Sequence, residues 1–184
     1  MVIKMNQSEN PIAIRSKNML AEALLSLMHE KDFHNISIAE LTKKADLSRR
    51  TFYRLFSTKE EILLYYILQI WEKASPSLYA ASDHSYFYTS YFHMKFWYEN
   101  KEFALLLYHN DLMIILQKFI DMISEEVYEH QKGTTPLSQN EEALAYALAY
   151  SSGGALHVIW KWISEGMTKT PDEVMELLML SYKK

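Results

Sequence analysis

The amino-acid sequence predicts an all-α fold. The 184 residues include only four glycines and four prolines, and 49% of the chain is hydrophobic. Ala, Leu, Met, Glu and Lys are frequent, and these residue types favour helix over sheet or disorder. Apolar residues recur every three or four positions through much of the chain, which is the period of an amphipathic helix. A chain of this length is expected to form one or two compact units.

Composition also restricts the class of protein. The chain contains no cysteine, which excludes disulfides, thiolate metal sites and cysteine nucleophiles. No apolar run approaches the roughly 18–20 residues of a membrane span, and residues 1–10 lack the apolar stretch of a signal peptide. We therefore expect a cytoplasmic protein with no membrane partner.

Charge is unevenly distributed along the chain. The formal net charge is −4, but residues 1–60 hold ten Lys or Arg against seven Asp or Glu, whereas residues 61–184 hold nine against sixteen. A basic N-terminal third followed by an acidic remainder suits a polyanionic partner at one end of the molecule.

An apolar stripe and a cap indicate the first two helices. The first helix begins at Pro11, and its apolar face fades near Lys31. Ser37 is followed three residues later by Glu40, and this spacing forms a capping box in which each side chain accepts from the backbone N–H of the other. The capping box marks the start of the second helix.

Two further caps follow closely along the chain. Ser48 caps a third helix after a tight turn at Asp46, and Thr58 with Glu61 forms a capping box that opens the fourth helix. We expect the fourth helix to end at Pro76, because proline disfavours helical backbone in the residue before it.

Five more helices are predicted in the rest of the chain. Their spans are about 85–99, 101–110, 112–130, 140–165 and 171–182. Gly166 suits the C-terminal cap of the longest helix, and Thr170 with Glu173 forms a capping box before the last one. The predicted domains are residues 11–58 and 75–184, with helix 4 (59–74) connecting them.

The second and third helices have the plan of a helix-turn-helix, although an ordinary helical hairpin has the same spacing. The charges of helix 3 favour DNA binding. Arg49 and Arg50 occupy its first two positions, where the helix dipole disfavours cations by roughly a few tenths of a kcal/mol each unless an anion is bound. With Tyr53 and Arg54 they form one face, opposite the apolar side chains. This face is predicted to meet DNA, with Lys59, Ser37 and Lys44 as backbone contacts.

A dense pattern runs through this region: Ile36-Ser37-Ile38-Ala39-Glu40-Leu41, Ala45-Asp46-Leu47-Ser48, Thr51-Phe52-Tyr53 and Phe56-Ser57-Thr58-Lys59-Glu60-Glu61-Ile62-Leu63. It resembles the DNA-binding domain of the tetracycline-repressor (TetR) family. The resemblance implies that Arg49, Arg50 and Thr51 meet base edges or adjoining phosphates. It also implies that Tyr53 and Lys59 grip phosphates and that Ser37 anchors helix 2. The predicted DNA-contacting residues are Ser37, Lys44, Ser48, Arg49, Arg50, Thr51, Tyr53, Arg54 and Lys59.

Two positions depart from the family pattern. The usual glycine of the turn is Asp46, and the small residue common before Thr51 is Arg50. Asp tolerates left-handed backbone better than most residues, so we expect the turn to be intact. Arg50 changes the expected operator, whose sequence therefore does not follow from the resemblance.

The penultimate helix is apolar on two faces, and both must be covered. It resembles the same family through Ser151-Ser152-Gly153-Gly154-Ala155 and Trp160-Lys161-Trp162-Ile163. The resemblance implies that the last two helices form a dimeric four-helix bundle. A central core helix covered by its own chain is the alternative. The predicted interface residues are Ala147, Ser151, Gly154, Ala155, Val158, Trp162, Val174, Leu177 and Leu178.

Aromatic residues are concentrated before and within the second domain. Fourteen of the 25 lie between Tyr65 and Tyr108. They either line an apolar effector pocket, as the corresponding helices do in relatives, or form plain core. The predicted pocket residues are Tyr66, Trp71, Tyr88, Tyr91, Phe92, Phe96, Phe103, Tyr146 and Tyr150.

An enzyme is the main rival class, but the sequence has no glycine-rich phosphate loop and no nucleophile elbow. Its seven histidines lack the spacing of a helical metal site, so no cofactor or metal is expected. We predict a homodimeric repressor that binds a palindromic double-stranded DNA operator and is released by an apolar small-molecule effector. The alternative is a TetR-like regulator controlled by a protein partner, with no small-molecule pocket.

Overall fold

The structure is a computed structural model that describes residues 10–81, 85–131 and 139–180. These residues form helices and connecting turns without any strand, which confirms the all-α prediction. None of the helices described has the length and hydropathy that a bilayer span requires. The helix bounds are α1 Pro11–Glu30, α2 Ile38–Lys44, α3 Arg49–Leu55, α4 Lys59–Tyr79, α5 Tyr86–Glu99, α6 Lys101–His109, α7 Met113–Gln131, α8 Glu141–Ser164 and α9 Pro171–Leu180.

The chain divides into two compact units within α4. The N-terminal unit ends at Glu72, and the C-terminal unit begins at Lys73. In the N-terminal unit, α1 packs against α2 and α3, and these two helices pack against each other. In the C-terminal unit, α8 packs against α5, α6 and α7, while α9 packs against α5.

The core of the N-terminal unit is built on the apolar stripe of α1. Leu20, Leu24 and Leu27 recur at helical spacing and are buried. Each such side chain contributes about 1.5–3 kcal/mol when it is fully removed from water. The buried residues that the other helices add to this unit include Leu41, Phe52, Ile62, Leu63 and Ile67.

Side-chain caps begin α2 and α9 where the sequence predicts them. Ser37 Oγ accepts from the Glu40 backbone N–H at 3.2 Å. At α9 the capping box is reciprocal, because Thr170 Oγ1 accepts from the Glu173 N–H at 3.3 Å and Glu173 Oε2 accepts from the Thr170 N–H at 2.7 Å. Hydrogen bonds from Thr170 lower the pKa of the Glu173 carboxyl below its usual value. Gly166 follows α8 with φ 74°, as a C-terminal glycine cap requires.

Helix α4 does not end at Pro76, contrary to prediction. It continues to Tyr79, and the Ala80 N–H donates to the Pro76 carbonyl at 3.0 Å. Proline has no backbone N–H, so the carbonyl of Glu72 lacks its usual helical partner, and an interior proline costs about 3 kcal/mol. Leu78 is buried beyond the proline, and its packing offsets part of this cost.

Aromatic rings fill the core of the C-terminal unit. Trp97 and Phe119 are fully buried, with ring centroids 5.7 Å apart in an edge-to-face contact. Phe96 stacks on Phe119 at 5.9 Å. Nearby on α5, burial lowers the pKa of His93 to about 4, and the Thr89 carbonyl lies 2.9 Å from its Nδ1. His93 is therefore neutral at physiological pH, with Nδ1–H as the donor to this carbonyl.

Candidate nucleic-acid interface and effector cleft

The turn that joins α2 to α3 spans residues 45–48 and is held by backbone hydrogen bonds. The Leu47 N–H donates to the Thr42 carbonyl at 2.9 Å, and Thr42 is itself buried. Asp46 adopts φ 53°, which lies in the left-handed region. The expectation that aspartate replaces the usual glycine without loss of the turn is confirmed, because a short polar side chain tolerates this backbone.

Helix α3 has two distinct faces. Phe52 is fully buried and anchors the inner face to the core of the unit. Arg49, Arg50 and Arg54 are exposed, and the Tyr53 side chain is 60% exposed. Across the described N-terminal unit, no carboxylate pairs with these three guanidinium groups. The exposed surface formed by Arg49, Arg50, Tyr53 and Arg54 therefore carries three permanent positive charges without a neighbouring carboxylate. We call this surface the arginine face.

The hydroxyl groups at the start of α3 are bonded to the helix itself. Ser48 Oγ accepts from the Thr51 backbone N–H at 3.0 Å and lies 2.9 Å from Thr51 Oγ1. At the start of α2, exposed Ser37 acts as the cap described above. Lys44 is also exposed, and its Nζ lies 2.5 Å from Glu30 Oε1. Each of these predicted contact residues thus already has a hydrogen-bond or ion-pair partner within the unit.

The predicted phosphate contact requires the Lys59 side chain to extend away from the unit, but the side chain bonds to the unit instead. Its Nζ donates to the carbonyl oxygens of Phe33 and Ile36, both at 2.6 Å, and lies 4.2 Å from the centroid of the Phe33 ring. Burial lowers the pKa of Lys59 below its usual value. Two of its three ammonium donors are used inside the unit. The Phe33 carbonyl that receives one of them also accepts from the Ile36 N–H at 3.1 Å.

Sequence reasoning missed the segment that receives Lys59. Residues Phe33–Asn35 form a short 3-10 helix, and its cap is Asp32, whose Oδ1 accepts from the His34 N–H at 2.7 Å. Backbone carbonyls have no sequence signature, so Phe33 and Ile36 were not candidates. The one available signal was Asp32, since aspartate before a tight turn commonly bonds the backbone two residues ahead.

The C-terminal unit contains a cleft of about 340 Å³ between the end of α4 and α5. The phenol of Tyr91, which lines this cleft, donates a hydrogen bond to Asp172, and this bond raises the pKa of Tyr91. Lys95 Nζ lies 6.0 Å from the centroid of the Tyr91 ring. The lining residues are Ala74, Ser77, Tyr88, Tyr91, Phe92, Lys95, Phe96 and Glu99. No three metal-ligating side chains converge in the described parts of the chain.

Four of the predicted pocket residues line this cleft, namely Tyr88, Tyr91, Phe92 and Phe96. The other predicted pocket residues lie elsewhere. Tyr146 and Tyr150 are 73% and 81% exposed and do not line this cleft. Phe103 is buried core, while Tyr66 and Trp71 belong to the N-terminal unit. Sequence reasoning missed Lys95 and Glu99, because it considered aromatic rings and the polar groups of Ser, Tyr and His but no charged side chain.

Two predicted interface residues are buried within the chain. Trp162 is 3% exposed, its ring stacks on Tyr98 with centroids 5.8 Å apart, and its Nε1 donates to the Lys169 carbonyl at 3.1 Å. Val174 is buried on α9. The predicted role is wrong for both, since the surface of each is already covered. Gly154 and Leu177 are exposed. The remaining predicted interface residues are half-buried: Ala147, Ser151, Ala155, Val158 and Leu178.

Comparison with known proteins agrees with the geometry of α2 and α3. Residues 20–66 match the family described as bacterial regulatory proteins, tetR family, and residues 92–183 match one described as transcriptional regulator C-terminal region. The HTH-type dhaKLM operon transcriptional activator DhaS of Lactococcus lactis is 27% identical over 118 residues, which are 64% of this chain and 54% of DhaS. The uncharacterized HTH-type transcriptional regulator YxbF of Bacillus subtilis is 37% identical over 51 residues, 27% of this chain and 13% of YxbF.

The chain thus spans only about half of DhaS and a smaller part of YxbF. Solved structures share the fold over nearly the whole chain. Lin0861 from Listeria innocua superposes with a TM-score of 0.72 at 18% identity, over 99% of this chain and 98% of that one. The fatty acid degradation regulator FadR from Bacillus halodurans gives 0.61 at 15% identity, over 94% and 96%. The chain belongs to the TetR family of transcriptional regulators, whose members bind DNA.

Proposed function

We propose that this regulator binds a palindromic operator as a homodimer and controls transcription by occupying it. The observation that carries the proposal is the arginine face, which stands on a fixed helix-turn-helix with no described carboxylate to neutralise it. One helix of seven residues offers few contacts, so two copies acting on adjacent half-sites supply the affinity and the symmetry.

Exposed apolar side chains on α8 and α9 support the homodimer. Tyr146, Tyr150 and Trp160 are exposed along α8, and Leu177 and Leu180 along α9. Large apolar groups clustered on the surface commonly mark an interaction site. Because α8 is already covered on its other face by α5, α6 and α7, a second copy is the occupant that we propose for the exposed face.

Binding to the DNA beside the regulator's own coding region is the first test. We expect Arg49→Ala and Arg50→Ala each to weaken operator binding by about 1–3 kcal/mol if a guanine contact is lost. A lost phosphate contact should instead weaken binding to all sequences and flatten its salt dependence. Fluorescence anisotropy across a salt series measures both quantities.

Arg15→Ala is the matched control, because Arg15 is an exposed arginine of the same unit on α1. It should leave operator affinity unchanged. If Arg49→Ala, Arg50→Ala and Tyr53→Phe all bind the operator with wild-type affinity, the proposal that α3 contacts DNA is contradicted.

Repression is the sign of regulation that we propose, because occupancy of an operator alone is sufficient to block transcription. The similarity to DhaS, named as an activator, supports activation as the alternative. A promoter fused to a reporter decides the sign, since deletion of the regulator raises expression under repression and lowers it under activation.

We also propose that an apolar small molecule binds the cleft between α4 and α5 and weakens operator binding. Its aromatic lining and its open volume support this role. Ala74→Phe should fill the cleft and abolish binding of hydrophobic probes, whereas Ala80→Phe, outside the lining, should not. Tryptophan fluorescence during a screen detects binders, and each binder should lower operator affinity by roughly 5–150-fold. If no molecule does so, control by a protein partner replaces this proposal.

A further inference from the structure

We infer that the operator half-site contains guanines that the arginine face reads in the major groove. This inference rests on the proposed DNA binding and adds the class of base that the protein selects.

The arginine face offers charged donors and no amide or carboxylate acceptor. Residues 48–55 are Ser-Arg-Arg-Thr-Phe-Tyr-Arg-Leu, which include no Asn, Gln, Asp or Glu. Guanidinium groups only donate hydrogen bonds. In the major groove guanine presents two acceptors, N7 and O6, whereas adenine pairs an acceptor with a donor and cytosine presents a donor. Guanine is thus the only base that a guanidinium can contact through two matched hydrogen bonds.

The hydroxyl groups of the same segment are poor substitutes for the missing acceptors. Ser48 Oγ already accepts from the Thr51 N–H at 3.0 Å, and the two hydroxyls lie 2.9 Å apart. These bonds use acceptor capacity that adenine N6 or cytosine N4 would need. Tyr53 adds an exposed phenol, whose ring suits the apolar methyl group of thymine and whose one hydroxyl can either donate or accept a hydrogen bond.

Three lysines near the helix-turn-helix already have partners within the unit, whereas Lys43 on α2 is exposed. Lys31 lies 2.5 Å from Glu40 and lowers the pKa of that carboxyl, and Lys44 pairs with Glu30. Lys59 donates to two carbonyl oxygens. Arg49, Arg50 and Arg54 have no such partner among the described residues, so they can turn to base edges without breaking an internal bond.

Selection from a random duplex library by the full-length protein tests the inference. We expect each selected half-site to contain at least two invariant guanines. Replacing one of them by 7-deazaguanine removes the N7 acceptor but keeps base pairing, and should weaken binding by about 5- to 150-fold. Replacing an adenine by 7-deazaadenine is the matched control and should change affinity by less than about twofold.

The protein variants locate each contact. Arg50→Ala should become indifferent to 7-deazaguanine at one position while it remains sensitive at another, and Arg49→Ala should show the complementary pattern. Circular dichroism verifies that both variants are folded. Selected half-sites without guanine would overturn the inference. It would also be overturned if 7-deazaguanine left affinity unchanged and both variants bound all duplexes equally more weakly with a flatter salt dependence. In that case the proposal of DNA binding itself would stand. Selection of no duplex at all would overturn both proposals.

Discussion

Replacing Lys59 by methionine is expected to weaken operator binding by about tenfold or more while its dependence on salt remains unchanged. Methionine keeps the apolar contact with the Phe33 ring but removes two charge-assisted hydrogen bonds, each contributing about 1.5–3 kcal/mol. The Ile36 carbonyl, one residue before the Ser37 cap of α2, then loses its partner. The start of α2 should shift, and α3 with it.

Salt dependence distinguishes this positioning role from a phosphate contact. A lysine that binds phosphate releases a counterion, so its loss lowers the slope of log affinity against log salt by about 1. For Lys59→Met the slope should equal that of the wild type. Lys59→Arg, which keeps a cation able to donate to carbonyl oxygens, should recover part of the affinity. A reduced slope in Lys59→Met would restore the phosphate assignment and contradict the internal role.

Replacing Gly154 by leucine is expected to convert the proposed homodimer to a monomer, although the substitution stabilises the single chain. A Cβ placed at Gly154 meets no atom within 4 Å, so the protomer accommodates the side chain without a clash. Leucine is favoured over glycine inside a helix by about 0.5–1 kcal/mol. If the helix of a second copy packs closely here, the same side chain separates the two copies.

Light scattering and thermal unfolding together test this prediction. Tyr150→Glu, which introduces a charge on the exposed face of α8, should also yield a monomer. Ile114→Glu is the control, because Ile114 is an exposed apolar residue on α7 and should not affect association. A wild type that is monomeric at micromolar concentration would contradict the homodimer. A dimeric Gly154→Leu variant would instead move the interface away from this part of α8.

Local signals explain why much of the N-terminal unit could be predicted from the sequence. The Ser37 and Ser48 caps act within three residues of themselves, and the stripe of α1 needs only a periodicity. Asp46 was predictable for the same reason, because backbone tolerance belongs to the residue type. The position of Lys59 was not, since its partners are backbone carbonyls 23 and 26 residues away in sequence.

The faces of α8 show a different limit. Periodicity identified two apolar faces on α8, but it does not show which face packs against other helices of the same chain. The structure buries Leu156 and Ile159 and leaves Tyr146 and Tyr150 exposed, so the two tyrosines lie away from the cleft. At Pro76 the local rule predicted a helix end, whereas burial of Leu78 two residues further along favours continuation. In both cases tertiary packing, which involves distant parts of the chain, decided the outcome.

The proline in α4 also affects the mechanics of that helix. A helix resists bending through an unbroken series of hydrogen bonds, and α4 lacks the one that would join residues 76 and 72. A lateral force on α4 would therefore bend the helix mainly in the turn between residues 72 and 76. The first turns of α4, where Lys59 bonds to its two carbonyls, would keep their geometry under the same force.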